Sequence, residues 1–375
     1  MAEQFSALWS SIADIGRTGS GGYRRFAWTP EDRLLKEWFV GEAAARGAEV
    51  VTDRAGNLWA WWGDPDREPG VVLGSHVDSV PEGGAFDGPL GIVSGLLAVE
   101  AAGPQRRPVA VALFSDEEGA RFGTACAGSR LLTGALTPER ALGLKDADGI
   151  TMAEAMPDTP AADPEAVRRI GCFVELHVEQ GRALDVPVGL ATEIWPHGRW
   201  RFDLGGQANH AGTTRLADRD DPMLAFAAMV LAARRHAEEL GLLATFGKLD
   251  VSPNAVNAVP GMVRAWLDAR APSEDLLHQL LERLGGDPAQ ESWTSAVRFD
   301  AELAGRLSTA LEGVPLLPTG AGHDAGVLQE HGVPTAMLFV RNPTGISHAP
   351  EEHAEEADCL VGVQALTKVV QELAQ

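Results

Sequence analysis

The feature that most constrains the fold is a set of short apolar segments, each followed directly by side chains that bind metals or move protons. Val109–Phe114 (VAVALF) is continuously apolar and runs into Ser115-Asp116-Glu117-Glu118. A short run with no polar face is typical of a strand buried on both sides. Val71–His76 and Gly171–Leu176 follow the same pattern, with helical segments along the chain. Strands alternating with helices predict an α/β domain with a mixed, mostly parallel sheet flanked by helices.

The pattern changes after about residue 188, which indicates a second domain. The segments there are strand-like at Trp200–Leu204, Thr245–Val251 and Met262–Asp268 and helical at Pro222–Leu240 and Asp275–Leu284. This order is typical of a small α+β unit with an antiparallel sheet. The α/β pattern then resumes with the helix Ala301–Leu311. We predict an α/β domain formed by residues 1–187 and 298–375, interrupted by an inserted domain at residues 188–297.

Composition excludes several classes of partner. Lys plus Arg number 31 and Asp plus Glu number 53, giving a formal net charge of −22 over 375 residues. Such acidity disfavours binding to nucleic acid or to anionic lipid. No apolar stretch reaches the about 20 residues that span a bilayer, and the N-terminus lacks the pattern of a signal peptide. Three widely separated cysteines indicate reduced thiols. We expect a cytoplasmic protein with no nucleic-acid or membrane partner.

Side chains of the types that bind metals cluster at the predicted strand ends and in glycine-rich loops. His76 and Asp78 lie on the same side of an extended chain, so one can bind a metal while the other orients the imidazole. Asp87 lies in Gly83–Gly91, where glycine permits a close approach to a metal. Taken singly, these motifs also fit a strand-end hydrogen bond or an Asp-Gly turn.

Three further motifs extend this set. The adjacent acids after Val109–Phe114 allow one carboxylate to bind metal while its neighbour takes a proton from water. His177 ends another predicted strand, and two histidines, His323 and His348, lie in glycine-containing loops. Imidazole and carboxylate ligands suit Zn²⁺, and also Mn²⁺, Co²⁺ or Ni²⁺. Five ligands exceed one catalytic site, which favours two metal ions sharing a carboxylate. The candidate ligands are His76, Asp87, Glu118, His177 and His348.

Eight motifs, in order along the chain, carry a family resemblance. They are GSHVDS (74–79), GGAFDGPLG (83–91), FSDEEGARF (114–122), ELHVEQG (175–181), NHAGTTR (209–215), PNAVNAVPG (253–261), GAGHDA (320–325) and GISHAPEE (345–352). Over essentially its whole length the chain resembles the bimetallic amidohydrolase family of N-carbamoyl-L-amino-acid hydrolase, β-ureidopropionase and allantoate amidohydrolase. These enzymes are relatives of the zinc aminoacylases and exopeptidases.

The resemblance implies a role for each candidate residue. The implied roles are His76 and His177 for one metal ion, Glu118 and His348 for the other, Asp87 as the bridge, Glu117 as general base and Asp78 as the support of His76. The exopeptidase relatives usually place a carboxylate where this chain has His177. That departure favours the carbamoyl or ureido branch of the family.

The resemblance also implies that the insert is a lid and dimerisation domain. The chain would form a homodimer in which His210 reaches the neighbouring active site and stabilises the oxyanion. The implied substrate-binding residues are Gln180, Asn257, Arg270, Gly345 and Ser347. Arg270 would hold the substrate carboxylate through two parallel hydrogen bonds. Arg341, which precedes the GISH loop, departs from the family pattern, and this extra guanidinium could alter which acidic group the pocket accepts.

The expected activity is hydrolysis of the carbamoyl (ureido) C–N bond of an N-carbamoyl-L-amino acid, giving amino acid, ammonia and CO₂. The expected cofactors are two divalent metal ions per subunit, and the expected substrate is a small carboxylated ureido compound. Allantoate amidohydrolase is the main alternative, followed by an aminoacylase or dipeptidase and by a non-catalytic metal-binding module. No GxGxxG loop follows the first strand, so a dinucleotide-binding domain is not indicated.

Overall fold

A computed structural model describes all residues from Met1 to Gln375, and its central strands follow the apolar segments of the sequence. In chain order the strands are β1 (Glu49–Thr52), β2 (Leu58–Trp62), β3 (Gly70–Ser75), β4 (Val109–Leu113), β5 (Ile170–Val178), β6 (Val188–Ile194), β7 (His197–Gly205), β8 (Asn209–His210), β9 (Leu243–Ser252), β10 (Ala258–Val259), β11 (Met262–Arg270), β12 (Ala289–Thr294), β13 (Val297–Arg298), β14 (Leu316–Thr319) and β15 (Thr335–Val340). The α-helices are α1 (Ala2–Ile12), α2 (Pro30–Ala45), α3 (Pro89–Ala102), α4 (Ala127–Thr133), α5 (Pro138–Leu142), α6 (Met152–Ala155), α7 (Pro164–Arg168), α8 (Pro222–Leu240), α9 (Glu274–Leu284), α10 (Ala301–Ala310), α11 (Asp324–Glu330) and α12 (Glu356–Leu373).

The larger of two units comprises Met1–Thr192 and Arg298–Gln375 and is built on a nine-stranded sheet. Its strand order is β1-β2-β4-β3-β5-β15-β6-β13, with β14 beside β6. The four central strands β4, β3, β5 and β15 are parallel, whereas β1 pairs antiparallel with β2, β2 with β4 and β6 with β15. The predicted mixed α/β fold is confirmed. Because the parallel strands share a direction, their carboxyl ends meet at one edge of the sheet.

The core of this unit is formed by the central strands and by α3, which packs against α12 and β5. Along α3 the apolar residues Leu90, Ile92 and Leu96 are completely buried. A helix that is apolar on nearly every side is stable only inside a core, where each such side chain contributes about 1.5–3 kcal/mol. The loop that precedes α3 is therefore anchored to a rigid core.

None of the helices in the chain has both the length and the apolar character needed to cross a bilayer.

The smaller unit, Glu193–Val297, contains an antiparallel sheet in the order β12-β7-β11-β9. Trp200 and Phe202 alternate with exposed residues along β7 and pack with Leu277 and Leu280 of α9. The unit begins at Glu193 rather than at residue 188, because β6 pairs with β15 in the large sheet.

Several short elements have no counterpart in the sequence analysis. Helices α4 to α7 are between four and seven residues long, too short for an apolar periodicity to develop. Side chains of Thr137, Thr151 and Asp163 accept hydrogen bonds from the first turns of α5, α6 and α7. The edge strand β12 is polar and exposed (AQESWT), so it lacks the alternation that identifies a half-buried strand.

Candidate metal centre

The candidate ligands come from three strand ends and two loops of the larger unit. His76 follows β3 directly, Glu118 lies in the turn after β4, and His177 is close to the end of β5. Asp87 lies in the loop before α3 and His348 in the loop before α12. The order β4-β3-β5 places the three strand ends side by side. This is the edge at which α/β sheets commonly carry their functional groups.

The first group of candidate ligands consists of His76, His177 and Asp87, all buried, with ligand atoms within 4.8 Å of one another. The Oδ1 atom of Asp87 lies 3.0 Å from His177 Nε2 and 3.4 Å from His76 Nε2. Each ring uses its other nitrogen on a backbone carbonyl: His177 Nδ1 is 2.8 Å from the oxygen of Val178, and His76 Nδ1 is 3.1 Å from that of Asp78. Those contacts leave both Nε2 atoms facing the shared carboxylate, where each can bind a cation once it has lost its proton.

The second group consists of Asp87, Glu118 and His348, again with ligand atoms within 4.8 Å of one another. His348 Nε2 lies 3.4 Å from Asp87 Oδ2 and 3.6 Å from Glu118 Oε2. Asp87 thus presents one oxygen to the histidine pair and the other to the second group. A single carboxylate shared in this way is the arrangement found in two-metal sites.

Polar atoms without partners show that these residues fit a divalent cation. The Nε2 atoms of His76 and His177 and the Oε1 atom of Glu118 are buried without a hydrogen-bond partner. Buried polar atoms are rarely left unpaired, so several of them within two adjoining groups of candidate ligands indicate sites for cations. Imidazole nitrogen and carboxylate oxygen are the donors that Zn²⁺ and related ions accept in catalytic sites.

The charge balance of the group leads to the same conclusion. Burial by itself would raise the pKa of Asp87, but His177, His348 and His76 hold that pKa well below its ordinary value. The hydrogen bond to Asp87 raises the pKa of His348 to about 9, and burial together with the Asp87 charge raises the pKa of Glu118 to about 7. Protons on these groups thus compensate the negative charge of the clustered carboxylates, and a bound cation would displace those protons.

Asp78 connects two strand ends beneath the site. Its carboxylate oxygens accept the backbone N–H groups of Glu117 and Glu118, each at 3.1 Å. His76 Nδ1 is closer to the Asp78 carbonyl oxygen, at 3.1 Å, than to the carboxylate, at 3.5 Å. The Asp78 side chain therefore mainly fixes the acidic turn, while its backbone orients the imidazole.

Glu117 is buried beside both groups without belonging to either. Its Oε2 atom lies 3.7 Å from His76 Nε2. Its Oε1 atom faces away, with Cys126 Sγ and His323 Nδ1 each at 3.7 Å. Burial, followed by the charges of nearby carboxylates, raises the pKa of Glu117 well above its ordinary value. A carboxylate in such surroundings has the proton affinity that a general base requires.

Among the predicted substrate residues, Gln180 and Ser347 contact the candidate ligands. Gln180 Nε2 donates to Asp87 Oδ2 at 2.8 Å and lies 3.3 Å from His348 Nε2. Ser347 Oγ lies 3.4 Å from Asp87 Oδ2 and donates to Glu352 Oε2 at 2.9 Å. Glu352 was missed in the sequence analysis, although it is buried and its Oε1 atom accepts the backbone N–H of Asp87 at 3.0 Å. The one indication in the sequence was that Glu352 follows the loop histidine His348 by four residues.

Gly345 and Arg341 lie in or next to the loop that carries His348. Gly345 has a φ of 68°, a left-handed conformation that glycine adopts without strain. Arg341 forms an ion pair with Asp358 at 2.8 Å and contacts the carbonyl oxygen of Asp185. Asp358 on α12 thus supplies a counter-charge to Arg341, and an influence of Arg341 on the substrate stays a prediction.

The remaining predicted residues, His210, Asn257 and Arg270, lie in the smaller unit. His210 is exposed, and its Nδ1 atom accepts the backbone N–H of Gly212 at 3.0 Å, so a neutral ring carries its proton on Nε2. Asn257 is exposed, and Arg270 Nε lies 3.0 Å from Asp268 Oδ1.

Comparisons with known proteins agree with the fold and with the motifs. A family model described as peptidase family M20/M25/M40 matches residues 72–372. The N-carbamoyl-L-amino acid amidohydrolase of Geobacillus stearothermophilus is 36% identical, over 99% of this chain and 99% of the relative. The allantoate amidohydrolase of Escherichia coli K12 is 31% identical, over 97% of this chain and 96% of the relative.

A solved structure extends the comparison to three dimensions. The crystal structure of an amidase of the hydantoinase/carbamoylase family from Burkholderia multivorans has a TM-score of 0.88 and 29% identity, covering 100% of this chain and 98% of that one. The resemblance inferred from the motifs is confirmed, and the named relatives are hydrolases of C–N bonds. The chain is an amidohydrolase that belongs to peptidase family M20/M25/M40.

Proposed function

We propose that this enzyme hydrolyses the carbamoyl C–N bond of an N-carbamoyl-L-amino acid to give the amino acid, ammonia and CO₂. The observation that carries the proposal is a carboxylate shared by two ligand groups, Asp87, with the buried Glu117 beside it. The 36% identity to a relative named for this activity supports the choice of substrate class.

Two divalent ions per subunit, Zn²⁺ or Mn²⁺, Co²⁺ or Ni²⁺, would occupy the site. His76 and His177 would hold one ion, Glu118 and His348 the other, and Asp87 would contribute an oxygen to each. Such ions act as Lewis acids on the carbonyl oxygen and lower the pKa of the attacking water toward about 7.

Glu117 would move the proton. Its Oε2 atom, which faces His76, would accept a proton from the attacking water as the water oxygen bonds to the carbamoyl carbon. Glu117 would then deliver that proton to the leaving nitrogen, and the C–N bond would break. The products are the free amino acid and carbamate, which decomposes to ammonia and CO₂.

Residues of the smaller unit would bind the substrate and the transition state. The partner subunit's His210 would donate its Nε2–H to the oxyanion, a role that suits the tautomer imposed by Gly212. Arg270 would exchange its contact with Asp268 for the substrate carboxylate, and Asn257 would be a further polar contact of the substrate. Gln180, Gly345 and Ser347 would position the carbamoyl group.

A homodimer formed through the smaller unit is part of this proposal. Strand β9 is at the edge of its sheet, so one side of its backbone is free to pair. Leu224 and Leu231 on α8 are 71% and 72% exposed, and Leu243 on β9 is 59% exposed. Sedimentation analysis of the wild type should give a dimer, and Leu231→Glu should give a monomer. A monomeric wild type would refute this arrangement.

Allantoate is the second candidate substrate, because it is also a ureido carboxylate and the relative named for it is 31% identical. Ammonia release should be measured from a panel of N-carbamoyl-L-amino acids and from allantoate, and release of the free amino acid should be measured from N-acyl amino acids and dipeptides. We expect the highest kcat/KM with a carbamoyl amino acid. A higher value with allantoate would select the alternative, and no turnover of any compound would refute the proposal.

Two variants test the assigned roles. Glu117→Gln should keep the metal content of the wild type and lower kcat by orders of magnitude, because the amide cannot accept the proton. Arg270→Ala should mainly raise KM for carboxylated substrates. Near-normal turnover of Glu117→Gln would refute its role as base, and unchanged kinetics of Arg270→Ala would refute the carboxylate contact.

A further inference from the structure

The oxygen of Glu117 that faces away from the candidate ligands has two buried polar neighbours. Cys126 Sγ and His323 Nδ1 each lie 3.7 Å from Glu117 Oε1, whereas Oε2 faces His76. We propose that Cys126 and His323 are positioning residues that hold Oε1, so that Oε2 is the oxygen presented to the reacting water. This inference rests on the proposed function, since it assigns a purpose to the orientation of the base.

Cys126 is joined to Glu117 through the backbone as well as the side chain. Its N–H donates to the Glu117 carbonyl oxygen at 2.6 Å, and its φ of 54° is in the left-handed region that residues with a Cβ seldom adopt. Backbone conformations of this kind cluster at functional sites. The observed distance of 3.7 Å is within hydrogen-bonding reach for a sulfur donor.

The Cys126 thiol is kept in its donor form. Burial, followed by the Glu117 charge, raises its pKa well above the ordinary value of a thiol. The thiol therefore stays protonated, which makes it a weak S–H donor to the carboxylate and removes it as a nucleophile.

His323 approaches the same oxygen from the start of α11. It is buried, and neither ring nitrogen has a hydrogen-bond partner. Its ring packs against that of His177 with centroids 4.6 Å apart, which fixes the ring plane. At 3.7 Å the contact from Nδ1 to Glu117 is longer than a hydrogen bond. Catalytic hydrogen bonds are often long before substrate binds and shorten in the complex, so this contact can close with a small movement.

With Oε1 held by the Cys126 thiol, and by His323 once that contact shortens, the Glu117 carboxylate would lose the freedom to rotate Oε2 away. Orientation of a base contributes to the rate of the chemical step rather than to substrate affinity. Removal of either donor should therefore lower kcat and leave both KM and metal content near their wild-type values.

Two variants at each position distinguish the effect of losing a hydrogen-bond donor from the effect of altered packing. Cys126→Ala and His323→Leu remove the donors, whereas Cys126→Ser keeps an O–H and His323→Asn places an amide nitrogen near the Nδ1 position. Cys172→Ala, which truncates a buried thiol on β5, is the packing control. Each protein would be purified with metal, its metal content measured, and kcat and KM determined with the best carbamoyl substrate.

We expect kcat to fall about tenfold in Cys126→Ala and in His323→Leu, a loss typical of one hydrogen bond to a charged group. Cys126→Ser and His323→Asn should recover most of it, and Cys172→Ala should match the wild type. In a Glu117→Gln background, Cys126→Ala should have no further effect on the residual turnover, because it acts through Glu117.

Three outcomes would overturn the inference. An unchanged kcat in Cys126→Ala and His323→Leu would remove both contacts from the mechanism. If Cys126→Ala and His323→Leu lost metal in proportion to turnover, or if Cys172→Ala lowered kcat equally, the role of Cys126 and His323 would be purely structural. If the wild type hydrolyses none of the compounds, the proposed function itself fails and the inference with it. The first two outcomes leave the proposed function intact, so the two failures are distinguishable.

Discussion

Gly88 offers a direct test of the metal centre, because the absence of a side chain there makes room for His76. Its φ is 85°, and a Cβ added to it would lie 2.5 Å from His76 Cε1 and 2.6 Å from Nδ1. Carbon atoms pack at about 3.5–4.0 Å, so the imidazole of a Gly88→Ala variant would have to move by roughly 1 Å. Metal–ligand distances tolerate only about 0.2 Å of change. We therefore expect metal affinity to fall by about 100-fold or more, together with kcat.

A matched control separates this clash from backbone strain. Gly123 also has a positive φ, 75°, but a Cβ there would have no neighbour within 4 Å. A backbone with positive φ strains an alanine at either position, at a cost of about 1–3 kcal/mol. Gly123→Ala should therefore lose that amount of unfolding free energy in a urea titration and keep its metal and its turnover.

The assay is equilibrium metal content, measured by mass spectrometry after dialysis against chelator-buffered metal, with kcat determined on the same samples. Wild-type metal affinity in Gly88→Ala would show that the His76 ring does not occupy the place described here, and would refute the reasoning. An equal loss of metal in Gly123→Ala would attribute the effect to strain in glycine loops in general.

Three further predictions follow from the polar groups around the site. Burial, followed by the Glu175 charge, raises the pKa of Asp324 to about 8. Between about pH 4 and pH 8, Asp324 therefore keeps its proton in the folded metal-free protein, whereas the unfolded chain has released it. The free energy of unfolding should fall as pH rises through this range, and Asp324→Asn should weaken this pH dependence in urea titrations. Glu352→Ala should weaken metal binding in chelator competition, since the Asp87 loop loses an acceptor, whereas Glu352→Gln should stay close to wild type. Asp78→Ala leaves two backbone N–H groups unpaired and should lower the free energy of unfolding by about 2–4 kcal/mol in urea titrations.

The central strands and the residues that follow them could be predicted from the sequence, because each combines two independent signals. Val109–Leu113 is apolar throughout, and the acids after it would be costly at a buried strand end without a positive partner. Helix α8 was predicted with its observed bounds, Pro222–Leu240, because Pro222 marks its first turn and Gly241 its end.

Other features depend on distant parts of the chain and had no local signal. Strand β6 belongs to the large sheet only because β15 pairs with it, and nothing in VGLATEI identifies that partner. Arg341 looked free until α12 placed Asp358 beside it. Cys126 resembles any buried thiol in the sequence, and its relation to Glu117 exists only because the chain turns back after β4.

The place of β15 in the large sheet has a consequence for how the chain is made. β5 and β6 are synthesised in succession, yet β15, which begins at Thr335, lies between them. While the ribosome extends the intervening segment, at about 5–20 residues per second, the facing edges of β5 and β6 have no strand to pair with. Unpaired strand edges recruit other chains, so the nascent protein is exposed to aggregation during this interval. His348 emerges later still, so the second group of candidate ligands is complete only after residue 348 has been synthesised, long after the first group.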